Sequence, residues 1–100
     1  MTFFEPYMEQ IQELCRAHQV ATLYAFGSTV KGDQRSTSDV DLLLELKSTD
    51  PYAFADNYWA LEEKFAALFG RPVDLISRRA MRNVYFIAAV EAEKVKLYEA

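Results

Sequence analysis

The fold is decided by residues 26–42, which read FGSTVKGDQRSTSDVDL. Gly27 and Ser28 end an apolar, β-rich run, and after ten more residues Asp39 and Asp41 open a second apolar run. A Gly-Ser turn directly after a strand presents backbone N–H groups and a hydroxyl to an anion, with no Cβ in the way at the glycine. The stretch therefore predicts two buried strands joined by a polar connection at which chemistry is expected.

Asp39 and Asp41 are two residues apart on the second predicted strand. They should project from one face, with Cα atoms roughly 6.5 to 7 Å apart, while Val40 and Leu42 point into the core. Two close carboxylates repel each other and both stay ionised only if a cation lies between them. Mg²⁺ suits this place because it takes oxygen ligands and leaves positions for substrate phosphates. From these residues alone, two solvated acids and an ordinary strand-ending turn stay open as alternatives.

The rest of the chain alternates helical and extended patterns. We predict, in chain order, a helix over residues 5–19, a strand over 20–26, a loop or one helical turn over 29–38, a strand over 39–46, a helix from Pro51 to Gly70, a strand over 73–76, a helix over about 79–91 with Met81, Val84, Tyr85 and Ala88 on one face, and an edge strand over 94–98. In the third strand Asp74 again interrupts an apolar stretch. This order of elements predicts the α/β (α+β) class.

Length and composition indicate one compact domain over residues 1–100. Hydrophobic residues make up 51% of the chain, with only three Pro and three Gly, which is typical of an ordered globular protein. The lone Cys15 excludes an internal disulfide, and no His or Cys cluster has zinc-site spacing. No apolar run approaches the roughly 18 residues that span a bilayer, and no signal peptide is recognisable. We expect a soluble, cytoplasmic protein.

The charge distribution indicates which kinds of partner the protein binds. The net charge is −4, with 15 acidic and 11 basic residues, which argues against a broad contact with a nucleic-acid backbone. The local basic cluster of Arg71, Arg78, Arg79 and Arg82 is interpreted as a solvated helix start, with a phosphate or partner contact as the alternative. We expect neither direct nucleic-acid binding nor a membrane.

The Gly-Ser pair, the ten residues after it and the Asp-Val-Asp triplet resemble the signature of the polymerase-β-like nucleotidyltransferases. The surrounding text is similar to the minimal nucleotidyltransferase (MNT) branch of that superfamily. In the family, two aspartates hold two Mg²⁺ ions and a third acid on a neighbouring strand completes the site. Asp74 matches the third position by its place after the long helix and by its apolar flanks. The resemblance covers nearly the whole chain and implies a small mixed sheet of three to four strands flanked by helices.

The resemblance implies Mg²⁺-dependent transfer of a nucleotidyl group from ATP to an acceptor hydroxyl, with pyrophosphate leaving. The catalytic and metal-binding residues that it implies are Asp39, Asp41 and Asp74. The nucleotide-binding residues that it implies are Gly27, Ser28, Lys31 and Arg35. The family commonly has Arg at the position of Lys31. A bidentate contact between a guanidinium and phosphate would therefore be replaced by the single point charge of an ammonium group.

The acceptor has to bring much of its own binding surface, because the chain has little room beyond the sheet and its helices. In the MNT family the usual partner is a small helical HEPN ribonuclease toxin. The resemblance implies an antitoxin that transfers AMP from ATP to a tyrosine of this toxin. Two alternatives stay open: an antitoxin that acts by steric binding alone, and a nucleotidyltransferase that acts on a small molecule such as an aminoglycoside.

Overall fold

The computed structural model describes residues 3–31, 39–48 and 50–100 of the chain. Its elements, in chain order, are a 3₁₀ turn (Glu5–Tyr7), α1 (Met8–Ala17), β1 (Val20–Phe26), α2 (Ser28–Lys31), β2 (Val40–Leu46), α3 (Pro51–Phe69), β3 (Val73–Ser77), a second 3₁₀ turn (Arg78–Ala80), α4 (Val84–Glu93) and β4 (Val95–Glu99). None of the helices in these ranges is long and apolar enough to cross a membrane.

The four strands form one mixed sheet in the order β3-β2-β1-β4. β1 runs antiparallel to both β2 and β4, whereas β2 and β3 are parallel to each other. A parallel pair needs a crossover connection, and the helix α3 supplies it. The carboxyl end of β1 consequently meets the amino ends of β2 and β3 at one edge of the sheet.

The larger core lies on the face of the sheet that α1 and α3 cover. Alternate strand residues interlock there with apolar side chains of the two helices, and the fully buried members include Ile11, Cys15, Leu23, Val40, Leu42, Leu44, Leu61 and Phe65. Burial raises the pKa of the Cys15 thiol to about 12, so this cysteine is an inert core residue.

The opposite face of the sheet is covered only in part, by α4. Phe26, Leu43 and Val90 form a smaller buried cluster there, with Tyr24 and Ile76 packed against it. These strand residues are the ones that alternate with members of the larger core, as the two-residue period of a strand requires. This second face is called the site face of the sheet.

Local signals in the sequence set the helix ends. The Asp50 side chain accepts a hydrogen bond from the Ala53 N–H at 3.0 Å, which caps α3 just before Pro51. Gly70, at φ 67°, ends the same helix in the left-handed conformation that favours glycine. The Asn83 side chain caps α4 by accepting hydrogen bonds from the Tyr85 and Phe86 N–H groups.

Most of the predicted elements are confirmed, including the bounds of β1, the stop of α3 at Gly70 and the edge position of β4. The prediction for the last helix is wrong at its start, because Arg78–Ala80 forms a 3₁₀ turn and α4 begins only at Val84. The predicted face is also wrong, since Val84 and Tyr85 are 69% and 84% exposed and the buried residue is Val90. The helix is apolar almost all round, so periodicity did not select a face.

Candidate active site

Two of the predicted site acids stand opposite each other where β2 and β3 begin. Asp41 pairs with Asp74 in parallel register, and neighbouring strands lie about 4.8 Å apart. Both acids lie on the site face, because Val40 and Leu42 are buried on the other face and residues alternate along a strand. Asp39 directly precedes β2, is exposed, and falls on the same face by this alternation. The three acids therefore share one edge and one face of the sheet.

Gly27 lies against Asp41. Its neighbour Phe26 is the register partner of Asp41 across β1 and β2. A Cβ atom on Gly27 would overlap the Asp41 Oδ2 atom and lie 3.1 Å from its Cγ atom, and the φ of Gly27 is +79°. Both the close approach and the positive φ require glycine at this position. The Gly-Ser turn and the carboxylate edge are thus in direct contact.

The electrostatics of the edge oppose ionisation of its central acid. Burial, followed by the charges of Asp74, Asp39 and Glu93, raises the pKa of the Asp41 carboxyl above its ordinary value. A divalent cation would remove the cause of this shift, because it would neutralise the like charges and replace the lost solvation. The charge balance of the edge therefore fits a cation.

The arrangement of the ligands fits a cation only in part. Asp39, Asp41 and Asp74 are oxygen donors of the kind that Mg²⁺ takes, and the backbone brings them to one edge. Among the residues that the structure describes, however, no three His, Cys, Asp or Glu side chains are arranged to hold a metal ion as they stand. The backbone register places Asp41 beside Asp74, and the binding of shared ions by the three acids stays a prediction.

The predicted nucleotide-binding residues lie beside this edge, except for one. Ser28 begins α2, a single helical turn in which the Gly27 carbonyl accepts hydrogen bonds from the Val30 and Lys31 N–H groups at 3.1 Å each. The Lys31 Nζ atom lies 3.2 Å from Glu93 Oε2, so its charge is paired with an acid. Arg35 lies outside the residues that the structure describes.

Glu93, the last residue of α4, belongs to the site and is absent from the sequence-based prediction. Its Oε1 atom accepts a hydrogen bond from the Gly27 N–H at 3.0 Å. This hydrogen bond, and then the contact with Lys31, holds the pKa of Glu93 below its ordinary value despite partial desolvation. Glu93 belongs to no motif that the sequence shows, and only the packing of α4 beside the turn reveals its place.

Tyr58 of α3 anchors β3 near Asp74. Its hydroxyl donates a hydrogen bond to the Leu75 carbonyl oxygen. Burial, followed by the charges of Glu62 and Asp74, raises the pKa of this hydroxyl, which keeps it protonated as a donor. The crossover helix thus fixes the strand that carries the third acid.

The arginine cluster predicted from the sequence is divided among separate contacts. The Arg71 guanidinium stacks over the Phe3 ring at 4.6 Å from its centroid, and Arg78 lies 3.7 Å from a Glu91 carboxylate oxygen. Arg82 donates to backbone carbonyls of its own segment. These three side chains do not form a common anion site.

Fold and site together define a small α/β domain that sets a carboxylate edge beside a Gly-Ser turn. Residues 7–97 match the family described as the nucleotidyltransferase domain, so the chain belongs to this family. It is accordingly a nucleotidyltransferase, with the fold of the polymerase-β-like superfamily predicted from the sequence.

Relatives and a solved structure agree with this assignment. The chain is 27% identical over 96 residues to a candidate protein adenylyltransferase of Methanocaldococcus jannaschii, covering 88% of this chain and 95% of that protein. It is 29% identical over 84 residues to the protein adenylyltransferase MntA of Thermococcus cleftensis, covering 76% of this chain and 82% of that protein. A crystal structure of a toxin–antitoxin with AMP-PNP superimposes with a TM-score of 0.73 at 26% identity, covering 94% of this chain and 74% of that one.

Proposed function

We propose that this protein is an antitoxin that transfers AMP from ATP to a tyrosine of a HEPN ribonuclease toxin. The observation that carries the proposal is the Asp41–Asp74 pair in register beside Gly27, which is the placement that the family resemblance requires of its acids. The names of the archaeal relatives, one of them MntA, and the toxin–antitoxin structure with AMP-PNP support the reaction and the partner. Residues 1–100 act as one catalytic domain, in the cytoplasm where ATP and the toxin's RNA substrate are found.

The reaction is an in-line displacement at the α-phosphorus of ATP. The tyrosine oxygen of the acceptor forms a bond to this phosphorus, and the bond from the phosphorus to the oxygen that bridges to the β-phosphate breaks. Pyrophosphate leaves with the electron pair of that bond. The proton of the acceptor hydroxyl passes to a base, which we propose is Asp74; its exposure at the edge, where a second protein can approach, supports this role.

The side chains at the edge contribute mainly position and charge. Two Mg²⁺ ions, held by Asp39, Asp41 and Asp74, would neutralise the triphosphate and lower the pKa of the acceptor hydroxyl. The Ser28 hydroxyl and the N–H groups of the turn hold the terminal phosphates at the start of α2. Lys31, one turn later, adds a positive charge beside them. The packing of Gly27 against Asp41 keeps the phosphate-binding turn and the acids at a fixed separation.

A transfer assay with α-labelled ATP, Mg²⁺ and the co-encoded toxin tests the proposal. We expect wild type to label the toxin, and Asp39→Asn with Asp41→Asn to reduce labelling by at least about a thousandfold, because both changes remove charge that faces the triphosphate. A matched control is Asp56→Asn with Glu63→Gln, which removes the same charge from the exposed side of α3 and should label normally. Label transfer by the Asp39/Asp41 variant, or its absence with wild type, contradicts the proposed reaction.

A second candidate is neutralisation by steric binding alone, and the outer side of α4 favours it. Val84 and Tyr85 are 69% and 84% exposed, which leaves an apolar surface of the kind that protein partners cover. Protection of cells from the toxin separates the two candidates. The catalytic proposal expects the Asp39/Asp41 double variant to lose protection, whereas steric neutralisation expects it to protect as wild type does.

A further inference from the structure

A single carboxylate spans the two ends of the proposed phosphate-binding turn. One oxygen of Glu93 accepts the Gly27 N–H at 3.0 Å, and the other lies 3.2 Å from the Lys31 Nζ atom. Gly27 precedes α2 and Lys31 is its last residue, so Glu93 ties the beginning of the turn to its end. The Glu93 side chain is 27% exposed, which shields both contacts in part from water.

The turn is short, so a contact from another element can stabilise it. α2 has four residues, and a single helical turn is unstable in isolation. The pairing of β1 with β4 ends at Ala25 and Val95, so the N–H of Gly27 lies beyond the last strand pair. A partly buried N–H requires an acceptor, and Glu93, two residues before Val95, supplies one where the strand does not reach.

We propose that Glu93 is a positioning residue for the nucleotide: it holds the Gly27–Ser28 turn and the Lys31 ammonium where they meet the terminal phosphates of a nucleoside triphosphate. The inference rests on the proposed function, since it assigns the turn to the triphosphate. It differs from a placeholder role, in which the Glu93 carboxylate would occupy the phosphate position and leave on binding. The Gly27 N–H points to the β4 side of β1, whereas Asp41 lies on the β2 side. Glu93 therefore contacts the turn on the side away from Asp41, which favours the positioning role over the placeholder role.

The two roles predict opposite changes in affinity, which calorimetry with AMP-PNP and Mg²⁺ measures when the acceptor protein is left out so that no transfer occurs. We expect Glu93→Ala to raise the Kd about tenfold, the effect of losing one charge-assisted hydrogen bond. Glu93→Gln keeps an oxygen for the Gly27 N–H but removes the charge beside Lys31, and should raise the Kd only about threefold. The control is Glu91→Gln on the same helix, because Glu91 pairs with Lys94 and Arg78 and not with the turn.

Amide hydrogen exchange gives a readout that does not depend on nucleotide or catalysis. In Glu93→Ala the Gly27 N–H should exchange at least about tenfold faster than in wild type, while amides in the middle of β1 keep their protection. Double-mutant analysis with Lys31→Gln should show that Glu93→Gln adds little once the lysine charge is gone. A merely structural role would lower the melting temperature without this pattern.

The outcomes that overturn the inference are distinct from failure of the proposed function. A lower Kd in Glu93→Ala shows that the carboxylate competes with phosphate, and unchanged Gly27 exchange shows that it does not hold the turn. Normal Kd values in both Glu93 variants contradict the positioning role in the same way. If wild type binds AMP-PNP but does not label the toxin, the proposed function fails while the positioning role stands on the affinity and exchange data.

Discussion

The two faces of the sheet differ in what they contact, although the same strands build both. One face is sealed by α1 and α3 over a continuous apolar core, and the site face carries a small cluster under α4 and an open edge of acids. The difference arises residue by residue: in β2, Val40 and Leu42 are fully buried while Asp41, between them, points to the other side. In β3, Leu75 is buried and Asp74 before it is exposed.

This division assigns stability and chemistry to different sides of one sheet. A rigid apolar face fixes the backbone, and the backbone in turn fixes where Asp41 and Asp74 stand, without any of the acids contributing to the core. The fold therefore tolerates repulsion between the acids, which together with burial raises the pKa of Asp41. Substitutions on the two faces should therefore separate effects on folding from effects on nucleotide binding.

The largest expected effect on stability is on the sealed face. Leu61→Ala removes a fully buried side chain from the larger core and should cost about 3 kcal/mol in the free energy of unfolding, measured by urea denaturation. Val90→Ala removes less apolar surface from the smaller cluster and should cost about 1.5 kcal/mol. Because α4 also carries Glu93, Val90→Ala should raise the Kd for AMP-PNP, while Leu61→Ala leaves it unchanged below its melting temperature. Equal costs, or a Kd that changes only in Leu61→Ala, contradict the division between the faces.

Gly27 and Gly70 both have a positive φ but differ in what surrounds them. Gly27→Ala meets both an unfavourable φ and the Asp41 carboxylate, and should lower AMP transfer at least about a hundredfold, because a small displacement of a reacting group has effects of this size. Gly70 has a φ of +67° with open space around it, so Gly70→Ala should cost about 1 kcal/mol of stability and leave transfer intact. Transfer that is equally affected in both variants would mean that backbone strain, and not the contact with Asp41, matters at Gly27.

Much of the fold follows from the sequence because its local signals agree with the tertiary structure. β1 is bounded by Gly27, and α3 lies between the cap Asp50 and the stop Gly70, each for a reason visible in one residue. The alternation of acid and apolar residues in β2 and β3 indicates which residues enter the core. The roles of the individual site residues stay predictions, which the expected losses of transfer and binding test.

What the sequence does not reveal depends on contacts between distant segments. Glu93 accepts a hydrogen bond from Gly27, which lies 66 residues earlier in the chain, and no spacing or motif predicts this contact. The face of α4 is equally hidden, because its residues from Val84 to Val90 are all apolar and any side would satisfy the pattern. The resemblance implies that Asp74 lies on a strand next to that of Asp41, but their exact register is seen only in the structure.

The smallest expected effect is a gain in stability at the site face. Burial and the neighbouring charges raise the pKa of Asp41 in the folded protein, so the ionised carboxylate disfavours folding above this pKa. Without divalent cations at neutral pH, Asp41→Asn should therefore raise the free energy of unfolding by about 0.5 kcal/mol, a value reduced for solvent screening, or about 2 to 4 °C in melting temperature.

The gain in stability from Asp41→Asn depends on pH. As the pH falls through the raised pKa, wild type takes up the proton and the advantage of Asp41→Asn should disappear. Mg²⁺ should act in the opposite sense, stabilising wild type but not the variant, because only wild type keeps the full set of charged ligands. Glu45→Gln, further along the same strand, is the control for loss of a charge. A variant that is less stable than wild type in the absence of cations would mean that Asp41 contributes to folding, and the separation of the two faces would then not hold at the centre of the site.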